Sequence, residues 1–131
     1  MGPRRGIRFA VLAACVLAVS PLMTAASEAA TRRATDSEAR IRFTLDDRLL
    51  TVRVLPRAPR KVRRQLYGKR VRAVCGTDFN FAEGVKVRRT RLWPRGRARL
   101  RYRFRRNLSR RAKWCLVEHP RGGDVAFVTF G

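Results

Sequence analysis

The chain has 131 residues, with 32 Lys plus Arg against 9 Asp plus Glu, a formal net charge of +23. It leaves room for one small domain, and its charge excludes a neutral, self-paired surface because most cations have no carboxylate to meet. One histidine and three cysteines form no cluster with zinc spacing, and there is no P-loop, nucleophile elbow or dinucleotide fingerprint.

Met1 to Arg8 carries Arg4, Arg5 and Arg8 and no acid. Phe9 to Val19 is an eleven-residue apolar run, broken by Ser20-Pro21 and followed by the small residues Thr24, Ala25, Ala26 and Ser27. This is the layout of a helical signal peptide over residues 1–26. Cleavage is expected after Ala26, with Ala29 and Ala30 as alternatives. The run falls short of the roughly 20 apolar residues of a membrane span. An uncleaved anchor would have to extend to Ala26 across Ser20, Pro21 and Thr24. Leu12-Ala13-Ala14-Cys15 resembles a lipoprotein box, but the apolar run before Cys15 is short and continues past it. Arg4-Arg5 matches a twin-arginine export signal only in the pair itself. Removing this segment takes three cations and no acid, so the mature chain keeps 29 bases against 9 acids.

Residues 27–39 are small and polar without an apolar period, and read as a flexible spacer before a domain over 40–131. From Arg40 the pattern has period two. Ile41, Phe43 and Leu45 alternate with Arg40, Arg42 and Thr44. Beyond Asp46-Asp47-Arg48, the residues Leu50, Val52 and Val54 alternate with Thr51 and Arg53. This predicts a hairpin with one apolar and one basic face. A short helix is expected from Pro59 to Tyr67, with Val62 and Leu66 on one face and Gly68 at its stop. Val71, Ala73 and Cys75 mark a third strand.

Gly76 to Gly84 reads as a loop with two phenylalanines. Val85 to Trp93 reads as a fourth strand whose alternation slips near Arg89 and Arg91, the mark of a bulge. After the turn Pro94-Arg95-Gly96 the fifth strand is the clearest: Ala98, Leu100, Tyr102 and Phe104 alternate with Arg97, Arg99, Arg101, Arg103 and Arg105. Trp114 to Glu118 and Val125 to Phe130 form a last hairpin. The expected fold is mainly β, a small antiparallel sheet or sandwich of about seven strands with one short helix.

With Cys15 gone, Cys75 and Cys115 remain, and an exported domain with two cysteines is expected to pair them in one disulfide. The arginine row at 97, 99, 101, 103 and 105 is the main candidate site. Alternate strand positions project about 6.6 Å apart on one face, and Arg40, Arg42, Arg53, Arg70 and Arg72 hold the polar positions of other strands. A continuous basic plate would suit an extended polyanion: envelope polysaccharide or phosphate polymer, with nucleic acid and anionic lipid surfaces as further candidates. Arginine is also this chain's general polar residue, and strand charges discourage edge-to-edge aggregation.

Phe79, Phe81 and Trp93 are the aromatics placed in or beside loops; Tyr102 and Phe104 lie on the apolar face opposite the arginines. Asn107-Leu108-Ser109 has the form of a glycosylation sequon. The expected function is that of a secreted or envelope-associated, non-enzymatic polyanion-binding module, with no cofactor, no metal and no transmembrane span in the mature chain. The alternative is a small secreted nuclease or related hydrolase using His119, with Glu118 or Glu83 as carboxylate. Glu118 and His119 are adjacent on a strand, which points them to opposite faces.

Overall fold

A computed structural model describes residues 31–80, 83–108 and 110–131. The expected signal segment with its expected cleavage sites and Cys15, together with Phe81 and Ser109, lies outside the described residues.

Eight strands and one short helix follow in the order β1 (Thr31–Asp36), β2 (Ile41–Asp46), β3 (Leu49–Val54), α1 (Arg60–Leu66), β4 (Arg70–Gly76), β5 (Lys86–Leu92), β6 (Arg99–Arg103), β7 (Trp114–Glu118) and β8 (Asp124–Thr129). They form two four-stranded antiparallel sheets, ordered β1-β2-β3-β6 and β5-β4-β7-β8. The period-two pattern dictates the packing. Ile41, Phe43, Leu45, Leu50, Val52, Leu100 and Tyr102 point inward from the first sheet and are buried. Val71, Ala73, Cys75, Cys115 and Val117 do the same from the second. The two inner faces share one core, to which α1 adds Val62 and Leu66.

The sandwich closes at both sides without a continuous ladder. Where β1 runs beside β8, the Phe127 amide of β8 donates to Asp36 Oδ2 at 3.0 Å. There Arg32 also donates to the Ala112 carbonyl at 2.7 Å and stacks its guanidinium over the Phe130 ring. Where β5 runs beside β6, Arg91 Nη1 donates to the Arg101 carbonyl at 2.5 Å. At each seam a charged side chain of one sheet satisfies a backbone group on the edge of the other, which blunts an edge that would otherwise invite pairing.

Two expectations are corrected. Residues 31–36 are not a spacer but strand β1, paired with β2 from Thr31↔Asp46 to Asp36↔Ile41. Its half-buried positions are Arg32, Ala34 and Asp36, so the alternation is real but nearly without apolar residues. The expected bulge near Arg89 is also absent. β4 and β5 pair without a break from Arg70↔Leu92 to Gly76↔Lys86, and the irregularity lies at Val117/Glu118 in the β7–β8 pair. The helix spans Arg60–Leu66, inside the expected Pro59 to Tyr67, and Gly68 at φ 74° turns the chain out of it. Among the described residues no helix is long and apolar enough to cross a membrane.

Cys75 and Cys115 face each other directly across β4 and β7 and are joined, with Cα atoms 4.1 Å apart. That spacing matches a non-hydrogen-bonded antiparallel pair. The bridge closes a 40-residue separation, worth about 4 kcal/mol by loop-closure entropy. The double substitution Cys75→Ala/Cys115→Ala is expected to lower the unfolding free energy by about that amount, read from urea unfolding curves each fitted with its own m, since the unfolded chain freed of its cross-link exposes more surface. A loss below about 1 kcal/mol would mean that the β4–β7 ladder and core hold the strands unaided.

Candidate functional site

Buried Leu100 and Tyr102 set the inward face of β6, so Arg99, Arg101 and Arg103 line the outer face of the first sheet and are exposed. Register brings other strands to the same surface. Thr35, Arg42, Arg53 and Arg99 lie in one row across β1, β2, β3 and β6. The next row is Arg33, Thr44, Thr51 and Arg101. Three arginines thus sit directly opposite one another on adjacent strands, an arrangement that repels itself in the absence of an anion. Arg42 lies between Thr35 and Arg53 in that row, and its Nε is buried without a hydrogen-bond partner. Burying an unpaired cationic donor costs free energy that a fully solvated arginine does not lose.

β6 is the edge of its sheet, and β5 of the second sheet approaches it. Arg89 and Arg91 pair with Ala73 and Val71, so they occupy the core-facing side of β5 together with Val87. Both are nevertheless exposed, because β5 is an edge strand and they reach past it into the seam. A groove of about 750 Å³ follows this seam, lined by Arg53, Arg91, Pro94, Arg97, Ala98, Arg99, Leu100 and Arg101. A smaller one, about 280 Å³, continues it toward Leu49, Arg89 and Arg103. Neither lining contains a carboxylate. Among the described residues one ion pair forms, Arg72–Glu118 at 2.7 Å, and it is not here.

The predicted site is therefore divided. Arg97, Arg99, Arg101 and Arg103 come together with Arg42 and Arg53. Arg105 is exposed beyond the end of β6. Arg70 and Arg72 belong to β4, on the outer face of the other sheet, and do not join the plate. Arg72 is held by Glu118 across the β4–β7 pair. Arg40 is a turn residue at φ 56° whose Nε donates to the Pro56 carbonyl. A single continuous plate is ruled out because β3 pairs with β6 and β4 with β7, which sends the polar positions of alternate segments to opposite sides of the molecule. Sequence reasoning missed Arg33, Arg89 and Arg91. The slip in alternation at Arg89 and Arg91 was their signal: arginines at apolar positions mark an edge strand beside an opening.

Trp93 is not an exposed platform. It is fully buried, and its Nε1 donates to the Arg97 carbonyl at 2.7 Å, so it braces the turn that presents Arg97. Phe79 remains exposed, at 59%. The outer face of the second sheet is largely self-covered. Trp114 lies so close over Gly76 that a Cβ there would fall 2.5 Å from its ring. With Val74 and Leu116, Trp114 forms a small second cluster, and its ring stacks on Phe127.

His119 Nε2 lies 2.5 Å from the Gln65 carbonyl, which makes it the protonated, donating nitrogen. Glu118 is bound to Arg72 on the outer face of the second sheet, and Glu83 is exposed. These groups do not converge on a common point. Among the described residues no group of three or more His, Cys, Asp or Glu could hold a metal ion. Comparison with protein-family models, with curated proteins and with solved structures finds no match to this chain.

Tyr102 connects the site to the core. Its hydroxyl donates across the sandwich to the Val71 carbonyl at 3.0 Å. Burial raises its pKa well above the ordinary 10.0, and the nearby Arg91 guanidinium offsets part of that rise. The unfolded chain releases this proton near the ordinary value and the folded chain holds it longer. Tyr102 therefore contributes its full stability below about pH 10 and loses it as pH rises further. Tyr102→Phe is expected to cost about 1–2 kcal/mol at neutral pH through the lost buried hydrogen bond. It should also flatten the fall of the urea midpoint above about pH 10. An unchanged alkaline slope would mean that another group controls it.

Proposed function

We propose that this chain is an exported, non-enzymatic module that binds polyanions of the cell envelope or extracellular space. The binding surface is the outer face of the first sheet together with the β5–β6 seam. The observation that carries this reading is the cross-strand row Arg42–Arg53–Arg99, with Arg101 and Arg103 beyond it and Arg91 meeting it from the other sheet, and with no carboxylate in the two grooves that Arg53, Arg91, Arg99, Arg101 and Arg103 line. Like charges in register repel, and an anionic polymer laid on them replaces repulsion with charge-assisted hydrogen bonds. Guanidinium groups are well suited to that exchange, being less strongly hydrated than ammonium groups and able to donate in pairs. The charge of the whole chain favours such a partner over long range. The N-terminal basic and apolar segments support export, and export directs the choice of polymer toward the envelope and away from intracellular nucleic acid.

Two measurements test the parts separately. Replacing Arg99, Arg101 and Arg103 together by threonine keeps good strand formers on a solvent face. The triple variant is expected to bind inorganic polyphosphate more weakly, with the slope of log affinity against log salt flatter by about 2, at roughly 0.7 per cation for a single-stranded chain. Binding equal to the parent's would remove the proposal. For export, mass spectrometry of the protein recovered outside the cytoplasm should find a chain beginning at Ser27, or at Ala30 or Thr31 for the alternative cuts. Recovery only as the uncleaved chain inside the cell would contradict it.

A further inference from the structure

A second basic groove lies next to the first, on the far side of one turn. It measures about 670 Å³ and is lined by Arg60, Arg63, Arg64, Tyr67, Lys69 and Arg95. Three of its cations come from the solvent side of α1, opposite the buried Val62 and Leu66, and Lys69 and Arg95 add two more. As in the seam, no carboxylate lines it. The two grooves are separated by the β5–β6 turn, with Pro94 and Arg97 lining the seam groove and Arg95 lining the helix groove.

Their relative position is fixed by backbone contacts. The Gly68 amide donates to the Trp93 carbonyl at 2.7 Å, and the Trp93 amide donates to the Lys69 carbonyl at 2.9 Å. Buried Trp93 then holds the Arg97 carbonyl. Gly68 leaves room for the Arg95 side chain, since a Cβ there would meet Arg95 Nε at 3.0 Å. At the crest of the turn nothing comes within 4 Å of a Cβ placed on Gly96. Basic surface therefore runs from the seam, over an open crest, onto the helix.

We infer that both grooves hold one ligand, a flexible linear polymer of phosphates or phosphodiesters that passes along β6, over the Arg95–Arg97 turn and onto α1. This inference rests on the polyanion reading above and deepens it. The length follows from the geometry: Arg99 to Arg103 covers only about 14 Å by strand rise, and α1 adds about 10 Å beyond the turn. Flexibility follows from the path, which leaves one groove, crosses the β5–β6 turn and enters the other, whereas a duplex with a persistence length near 150 bp stays straight over so short a distance. Phosphate follows from the directions of approach. Guanidinium groups reach the seam from β5 and from β6, on two different sheets. A tetrahedral phosphate offers oxygens out of any one plane, to donors arriving from both sheets, whereas a carboxylate's two oxygens and their lone pairs lie in one plane. The seam and helix grooves are lined by arginine, lysine, proline, alanine, leucine and one tyrosine, so the polymer is held by its backbone charge and not by base stacking.

The experiment uses the oxidised chain and inorganic polyphosphate in two lengths, one short enough for β6 alone and one several times longer. The long chain is expected to bind at least about tenfold more tightly, because the second groove is filled at high effective concentration. A long polymer also gains statistically from offering more registers, so a variant decides the cause. Arg63→Gln/Arg64→Gln/Arg95→Gln changes only exposed side chains. It is expected to bring the long chain down to the short chain's affinity, within about twofold once registers are counted, and to leave the short chain unaffected. Arg60→Gln/Lys69→Gln, on the same groove, serves as an independent second variant. A length advantage that survives both variants, or no advantage in the parent, overturns the two-groove ligand. Equal binding of polyglutamate of matched length overturns the phosphate assignment, and equal binding of duplex DNA overturns the flexible ligand. Failure of the polyanion reading looks different: neither length binds, or Arg99→Thr/Arg101→Thr/Arg103→Thr binds both as the parent does.

Discussion

Each sheet of this protein has one continuous apolar face, and burying those two faces against each other is the constraint that the rest of the geometry answers to. Every strand can offer only alternate side chains to the core. The remaining positions lie on the outer faces; on the first sheet they are mostly arginine and threonine, and on the second Val74, Trp114 and Leu116 cover one another. A core supported by one disulfide therefore carries an outer shell of largely unpaired cations. The Cys75–Cys115 bridge lies in that core, between the two central strands of the second sheet. It limits the unfolded chain at the point where long-range pairing must form.

The two seams show how a small sandwich ends its sheets without joining them. Asp36 and Arg32 close one side, and Arg91 closes the other. In both, a charged side chain takes a backbone partner that a ninth strand would otherwise have supplied. The arginine seam also spreads guanidinium groups from two sheets along one opening. Structure and proposed binding surface coincide there: the contact that closes this side of the sandwich also places Arg91 beside Arg101. Trp93 plays a comparable double part. Its ring fills the core, and its indole nitrogen and backbone tie the β5–β6 turn to the end of α1.

The strands with apolar alternation were legible residue by residue. β2, β3 and β6 fall where Ile, Leu, Val, Phe and Tyr recur at every second position, β4 where Val71, Ala73 and Cys75 do, the β7–β8 hairpin where two contiguous apolar runs flank a Pro-Gly turn, and α1 between its proline and its glycine. β1 was not legible, because its inward side chains are Arg32, Ala34 and Asp36, whose partners are backbone groups far along the chain. Trp93 was misplaced for a similar reason. Its neighbours Pro94 and Gly96 mark a turn, and only the fold reveals that the turn closes over a buried indole.

By itself the sequence determined the secondary-structure type, the pairing partner of Cys75, the outward direction of Arg99, Arg101 and Arg103, and the excess of cation over anion. These follow from local period and from counting, which need no knowledge of what lies beside a strand. Only the tertiary structure decided that Arg70 and Arg72 leave the basic face while Arg33, Arg89 and Arg91 join its surroundings. It also decided that the helix arginines meet the β5–β6 turn. Such choices depend on which strands pair at long range, as β3 with β6 and β4 with β7 do. Alternation assigns a residue to one of two faces, but the topology determines which face of which sheet that is.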